Sequence, residues 1–210
     1  MINMKSEFWI VRMPTYGMIA FVLLNILAML LYPGGNLNDP NQIGYYFSYN
    51  FFSDLGATVS HSNESNLISS ILFNISLCIV AFTFMMLFYS IKDFFPGFKI
   101  LSTIATCLGI IGCISFIGVA FTPSNLYLDS AGDPWLHIIF AHWIFRSLSA
   151  VSIIYSILII KTKDFDNKYA YNFIIFGIMV LAYVLYSELY LNNPREHKED
   201  LIKHVLAQKM

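Results

Sequence analysis

Charged residues are scarce in this chain. Lysine, arginine, aspartate and glutamate together make up 12% of the sequence, whereas about 25% is usual for a soluble domain. The formal net charge is -1, so the chain has neither the basic field that favours nucleic acid nor a strongly acidic balance. We therefore expect no nucleic-acid partner.

Cysteine is also rare. The three cysteines lie inside apolar stretches, and they are Cys78, Cys107 and Cys113. Their odd number and the absence of a C-x-x-C pair argue against a disulfide framework and against a cysteine metal site. Free cysteine is usually a small buried apolar residue. We therefore expect neither a metal nor another cofactor.

Hydrophobic residues, by contrast, make up 57% of the chain. A membrane-spanning helix needs about 20 mostly apolar residues, and five segments are long enough: 14–33, 66–91, 100–121, 136–160 and 170–191. The first is longer than a signal peptide's apolar region and lacks its cleavage pattern. The sequence predicts an all-α, polytopic bundle of about five spans in one domain, 1–191, with Asn63 capping the second span.

The loops between these segments alternate in charge. Basic residues precede the first span and follow the second and fourth: Lys5, Arg12, Lys92, Lys99, Lys161, Lys163 and Lys168. The loops 33–65 and 122–135 contain no lysine or arginine. Because basic loops stay on the cytoplasmic side, we predict a protein of the cell membrane with a cytoplasmic N-terminus and acidic outer loops.

The C-terminal tail, 192–210, departs from this alternation. After five spans it should lie outside, yet it carries four basic residues: Arg195, Lys198, Lys203 and Lys209. Its apolar residues form an amphipathic stripe. The tail is therefore predicted either to lie on the membrane surface or to begin a sixth helix.

Two stripes of small residues are placed for helix packing, since small side chains let helix backbones approach closely in lipid. One lies on the third span and the other on the fourth: Ala105, Gly109 and Cys113, then Ser149, Ser152 and Ser156. We expect both stripes at contacts between helices.

Three ionisable residues fall within the spans. Such groups are costly in lipid and usually face the protein interior or a water-filled cavity. His142 and Arg146 are four residues apart and share a helix face, while Glu188 lies near the outer end of the last span. We predict an Arg146–Glu188 pair with His142 between them. The pair either holds two helices in register or lines a polar pocket open to the outer face.

The outer loops and the start of the fourth span add Ser53, Asp54, His61 and His137. A metal is not expected, because His137 and His142 lie about 140° apart on their helix, and a site from His61, Asp54 and His137 requires the loop to fold back. Ser53 and Asp54 near a histidine are the minimum for an activated nucleophile. However, the G-x-S-x-G elbow is missing, and Ser-Asp commonly makes local backbone hydrogen bonds.

Two short motifs resemble the signatures of a known family. The first outer loop reads Asn-Phe-Phe-Ser-Asp-Leu-Gly-Ala over 50–57, and Phe121-Thr122-Pro123 is followed by Gly132 and His137. Both resemble a prokaryotic membrane family catalogued as domain of unknown function 998, and the likeness covers about 14–191. The resemblance implies that six residues belong to the family pattern: Ser53, Asp54, Leu55, Gly56, Pro123 and His137.

The chain departs from that family in two ways. Asp54 stands where glutamate is usual. Family members typically have a sixth helix, whose beginning resembles the last residues of this tail. The family has no established molecular role, so the resemblance implies no activity.

The sequence favours binding over catalysis. We expect an outward-facing polar pocket that binds or transports a small polar ligand or a lipid headgroup, lined by Ser53, Asp54, His137, His142, Arg146 and Glu188. One alternative is an intramembrane hydrolase that uses Ser53 or a metal-bound water as nucleophile. The other is a structural or accessory membrane protein without a ligand.

Overall fold

The computed structural model describes residues 7–123, 135–162, 165–190 and Val205, with the backbone alone for residues 135 and 187–190. It contains five long helices, which we number in chain order: α1 (Met13–Leu30), α2 (Leu67–Ile91), α3 (Lys99–Phe121), α4 (Trp135–Thr162) and α5 (Asn167–Tyr190). A π-helical turn, Phe8–Arg12, precedes α1, and a short 3-10 helix, Phe52–Gly56, lies between α1 and α2.

All five helices are long and apolar enough to cross a membrane. The qualifying segments run from 20 to 28 residues, and about 20 residues suffice to cross the hydrocarbon core. Every helix end lies within about three residues of the predicted boundary. The predicted all-α bundle of five membrane-compatible helices is therefore confirmed.

Consecutive helices pack against each other along the bundle. The connections between α2 and α3 and between α4 and α5 are short, and short connections make sequential helices antiparallel neighbours. The Asn25 side-chain amide of α1 donates a hydrogen bond to the Ser76 hydroxyl of α2, at 2.9 Å. Such polar contacts join helices inside a membrane, where no water competes for them.

The small-residue stripe on α3 lies at a helix contact, as predicted, and its Gly109 faces α2. Ala105 and Cys113 are buried. At Gly109, an added Cβ would lie 2.5 Å from the aromatic ring of Phe88. The lack of a side chain at this position is what lets the Phe88 ring lie against the backbone of α3.

The serine stripe on α4 faces α5. The Ser149 hydroxyl lies 3.5 Å from the carbonyl oxygen of Gly177, and the Ser156 hydroxyl lies 3.3 Å from that of Ala170. Both serines are buried, as is Ser152 between them. The prediction that these residues make a helix contact is confirmed.

One end of the bundle is formed by the ends of α1 and α3, the beginnings of α2 and α4, and residues 31–66, which we call the acidic loop. This loop is not a loose connection. Its Tyr32 and Leu55 are buried in one cluster with Phe73 of α2, Val119 of α3 and Ile144 of α4. The loop therefore belongs to the core at this end.

The predicted cap at Asn63 is wrong. The residue that precedes α2 is Asn66, while Asn63 lies in a tight turn with a positive φ of 62°. Asparagine tolerates this left-handed conformation better than most residues. The turn continues the acidic loop for three residues beyond the predicted cap, so the helix begins later.

Candidate functional site

The acidic loop folds back on itself through two turns. In the first, the Gly35 amide donates to the carbonyl of Gln42 at 2.8 Å. In the second, the Ser60 amide donates to the carbonyl of Glu64 at 2.9 Å. The Ser62 amide links the turns by donating to Gly34 at 3.3 Å. This reversal brings residues near 35, 54 and 61 together at the acidic end.

Asn50 holds the middle of this loop. Its side chain is fully buried, and its amide nitrogen donates to the Gly35 carbonyl at 2.7 Å and to Asp54 at 3.2 Å. Its amide oxygen accepts from the Gln42 side chain and from the Tyr46 backbone, both at 3.0 Å. A side chain with both ends occupied in this way fixes the relative position of the segments it joins.

The short helix Phe52–Gly56 is held by the first turn of α2. The Asn66 amide nitrogen lies 2.7 Å from the Ala57 carbonyl, 3.2 Å from that of Leu55 and 3.3 Å from that of Asp54. Two buried serine hydroxyls extend this contact along α2, Ser69 to Leu55 at 3.3 Å and Ser70 to Gly56 at 2.8 Å. The carbonyls that a short helix leaves unpaired are thus satisfied by side chains.

Packing gives the Leu-Gly-Ala part of the motif a structural role. Leu55 is fully buried in the cluster at the acidic end. At Gly56, an added Cβ would lie 2.8 Å from the ring of Phe73. The short helix therefore sits directly on α2, and the position of Asp54 is set by that contact.

Asp54 lies within this frame, almost entirely shielded from solvent. Its Oδ2 accepts hydrogen bonds from the Phe51 backbone amide at 2.9 Å and from the Asn50 side chain at 3.2 Å. Its Oδ1 faces His61, whose Nε2 lies 3.4 Å away. Through Oδ2 the carboxylate caps the short helix, whereas Oδ1 is committed to no backbone group in the described structure.

His61 covers Asp54 at the surface. The side chain of His61 is 27% exposed, compared with 8% for Asp54. The pKa of His61 is raised above its ordinary value of 6.5, chiefly because the hydrogen bond to Asp54 favours the protonated ring, and this outweighs the opposing effect of burial. The pair is therefore a partly buried ion pair that gains or loses one proton at the acidic end.

His137 approaches the same region from the beginning of α4. Its Nδ1 lies 2.6 Å from the Thr122 carbonyl oxygen at the end of α3. Because a carbonyl only accepts hydrogen bonds, Nδ1 must carry a proton, which leaves Nε2 of the neutral ring as an acceptor. The ring is buried, and the charge of Asp54 acts on it.

The structure thus pairs Asp54 with His61 and places this pair at the end of the bundle where His137 begins α4. The folded-back loop that the sequence analysis required for a grouping of His61, Asp54 and His137 is present. Within the described residues, however, no group of three or more histidine, cysteine, aspartate or glutamate side chains is arranged to hold a metal ion. Ser53 is half-buried, and its hydroxyl has no hydrogen bond to either histidine in this part of the chain.

The ionisable residues within α4 lie elsewhere. Arg146 is nine residues below His137, about 13 Å along the helix, and its side chain is exposed on the face that also carries Ile139 and Ile153. His142 is half-buried. Both His142 and Arg146 have an interaction partner. The side chain of Glu188 lies outside the described residues, so the Arg146–Glu188 pair stays a prediction.

Sequence reasoning missed Asn50 and Asn66 as the residues that build the site. Asn50 was visible only as the first letter of the motif, and Asn66 stands among other polar residues before an apolar run. Neither has a spacing that signals its role, because the partners of both lie across chain reversals.

Comparison with known proteins does not assign the chain to a family. No family model matches it, and neither a curated protein nor a solved structure is significantly similar to it. The resemblance of residues 50–57 and 121–137 to domain of unknown function 998 therefore stays a prediction.

Proposed function

We propose that the acidic end of the bundle is a binding site for a small polar ligand or a lipid headgroup, centred on Asp54, His61 and His137. The observation that supports this most is the Asp54 carboxylate, which is shielded from water yet has one oxygen directed at a partly exposed histidine. Ionisable groups held below the surface of a membrane protein commonly mark ligand or ion sites. The same site would serve as the outer binding site of a transporter.

The alternative is that Asp54 only stabilises the loop. Its bonds to the Phe51 amide and to Asn50 are those of a structural cap. Replacement of Asp54 by asparagine distinguishes the two roles. If the carboxylate binds the ligand, the replacement should weaken the stabilisation by added ligand; if the carboxylate is only structural, that stabilisation should not depend on it. The amide keeps an oxygen for the Phe51 amide but loses the charge.

The test is a thermal-shift measurement on the purified full chain in nanodiscs of phosphatidylglycerol. The probes are ethanolamine, choline, glycerol and inorganic phosphate. We expect at least one probe, at ten times its Kd, to raise the Tm of the wild type by about 3–6 °C. Asp54→Asn and His137→Gln should respond at most weakly to that probe.

Glu64→Gln is the matched control, because Glu64 is an exposed acid of the same loop. It should respond like the wild type. If no probe shifts the wild type, or if Asp54→Asn shifts as much as the wild type does, the binding role is wrong and the structural alternative stands.

We also propose that the N-terminus is cytoplasmic and that the acidic loop faces outward across the cell membrane. The support is the distribution of lysine and arginine, which are missing from residues 33–65 and 122–135. An outward acidic loop is what exposes the site to extracellular solutes or to the outer leaflet.

Single cysteines test this orientation in a variant whose three native cysteines are replaced by alanine. Asn41→Cys lies in the acidic loop, and Lys161→Cys lies at the opposite end of the bundle; both positions are exposed. In intact cells, a membrane-impermeant thiol reagent should label Asn41→Cys at least tenfold more than Lys161→Cys. Equal labelling, or the reverse ratio, would refute the orientation.

A further inference from the structure

The hydrogen-bonding groups that the site presents are acceptors. Oδ2 of Asp54 has two donors at 2.9 and 3.2 Å, but among the described residues Oδ1 has only His61, at 3.4 Å. Hydrogen bonds between a charged nitrogen and a carboxylate are usually 2.7–2.9 Å long. Oδ1 is therefore the weakly satisfied oxygen of the pair, and it faces His61, which is more exposed than Asp54.

Both histidines present acceptors when they are neutral. His137 donates through Nδ1 to the Thr122 carbonyl, so its Nε2 accepts. His61 donates through Nε2 to Asp54, so its Nδ1 accepts. Neither ring offers a second donor unless it takes up a proton.

Asn66, whose amide nitrogen contacts the Asp54 backbone carbonyl, adds a buried acceptor to this end of the bundle. Its amide nitrogen is fixed by three carbonyl oxygens, which can only accept, so the opposite amide orientation is excluded. Its Oδ1 is buried and receives no hydrogen bond from the described residues. A buried acceptor of this kind is normally matched by a donor.

The charges around His61 do not neutralise Asp54. Among the residues that the structure describes, the titratable side chains that act on this region are Asp54 itself, His137 and the buried tyrosines Tyr32 and Tyr45. Burial, and then the charge of Asp54, raise the pKa of both tyrosines well above the ordinary value, so both stay neutral. Glu64 contacts the turn of His61 through its backbone only among the described contacts, and its side chain is exposed.

With His61 neutral, the Asp54 carboxylate has no cationic partner among the described residues, and the neighbouring side chains present acceptors. No lysine or arginine is present in residues 33–65 or 122–135 to balance it. The complementary ligand group is a cation that donates several hydrogen bonds. A primary ammonium has three N–H donors, whereas a quaternary ammonium has none.

We propose that the ligand of this site carries a primary ammonium group, which binds beside Oδ1 of Asp54 and displaces the proton held by His61. This rests on the proposed binding role of the acidic end. The exchange is balanced in charge: one ammonium group enters, and one proton leaves the imidazole for solvent. A free amine and an aminolipid headgroup both carry this ammonium group, and both present the same chemistry to Asp54.

This exchange makes binding depend on pH in a defined direction. Because the pKa of His61 is raised above its ordinary value of 6.5 by its bond to Asp54, the ring is still protonated at pH 6.5 and loses the proton at higher pH. The proton competes with the ammonium group over that window. Affinity for the amine should therefore increase with pH and level off once His61 is neutral.

Calorimetric titration of the full chain, in phosphatidylglycerol nanodiscs, measures both affinity and proton release. Titrations with ethanolamine in PIPES and in HEPES, whose heats of ionisation differ, count the protons released. We expect up to one proton at pH 6.5 and an affinity gain of at least about fourfold between pH 6 and pH 8, since a competing group with the ordinary pKa of 6.5 would give about fourfold. Choline, with the same charge but no N–H, should bind at least tenfold more weakly.

Variants separate the roles of the two partners. His61→Gln should bind ethanolamine without proton release and without the pH dependence, because the titrating group is gone. Asp54→Asn should lose at least tenfold in ethanolamine affinity, and Glu64→Gln should behave like the wild type. Nanodiscs of phosphatidylethanolamine and of phosphatidylcholine show whether the ammonium group comes from a lipid or from a free amine. If the ligand is a lipid headgroup, Asp54-dependent stabilisation should appear in phosphatidylethanolamine nanodiscs and not in phosphatidylcholine nanodiscs. If the ligand is a free amine, neither lipid should give that stabilisation.

Three outcomes would overturn the ammonium proposal. These are equal binding of choline and ethanolamine, ethanolamine binding without proton release in the wild type, and Asp54-dependent stabilisation by glycerol or inorganic phosphate but not by ethanolamine. The last would leave the binding function intact and change only the class of ligand. If no probe gives an Asp54-dependent response, the binding function fails as well.

Discussion

Replacing Asn66 with alanine should detach the acidic loop from α2 and lower the free energy of unfolding by about 2–3 kcal/mol. The Asn66 amide carries two hydrogens that serve three carbonyls of residues 54–57, and the residue is only 1% exposed. Without the amide, water cannot readily reach those carbonyls. The change can be measured by denaturation of the purified protein and by proteolysis of the loop near residue 41.

Asn66→Asp distinguishes the lost hydrogen bonds from the lost volume. The carboxylate fills the same space but offers acceptors to carbonyls, so its destabilisation should at least equal that of alanine. Asn41→Ala, at an exposed position of the same loop, should stay within about 0.5 kcal/mol of the wild type. If Asn66→Asp were as stable as the wild type, the amide would not be what holds the loop.

Replacing Gly109 with valine should disrupt the contact between α2 and α3 and cost about 3 kcal/mol or more. The first side-chain atom alone would lie 2.5 Å from the ring of Phe88. That ring cannot easily move, because it is buried and stacks on Tyr155 at 6.3 Å with 8° between the planes. Overpacking of a buried contact typically costs 1–3 kcal/mol, and here the strain falls on an aromatic cluster.

A compensating change tests this cause. Phe88→Leu in the Gly109→Val background makes room for the added methyl groups, so the double variant should be more stable than Gly109→Val alone. Gly97→Ala is the control, because nothing lies within 4 Å of its added Cβ. Independent, additive effects of Gly109→Val and Phe88→Leu would show that the two residues do not clash. Thermal denaturation of the four variants and the wild type gives the comparison.

The positions of the helices were largely predictable because each span satisfies its own backbone hydrogen bonds in lipid. That requirement makes a span a continuous apolar run, and such a run is visible without any tertiary information. The two stripes at Gly109 and at Ser152 were predictable for a related reason, since close helix packing in lipid demands small residues at helical spacing.

The candidate site was predictable only in part. Asp54 and His137 were identified from motifs, and His61 from its position in an outer loop. The roles of Asn50 and Asn66 were not, and the cap assigned to Asn63 was wrong. These residues act through bonds to distant backbone groups, such as the bond from Asn50 to Gly35, and no periodicity in the sequence records such a contact.

The amino-acid sequence alone determined that this chain forms five membrane-compatible helices and that the loops at one end lack basic residues, because both follow from composition over short windows. Only the tertiary structure decided that Asp54 pairs with His61 at the end of the bundle where His137 begins α4, and that Arg146 lies on the exposed face of α4. The physical reason is the reversal of the acidic loop, which depends on backbone turns and buried amide bonds between residues far apart in the chain.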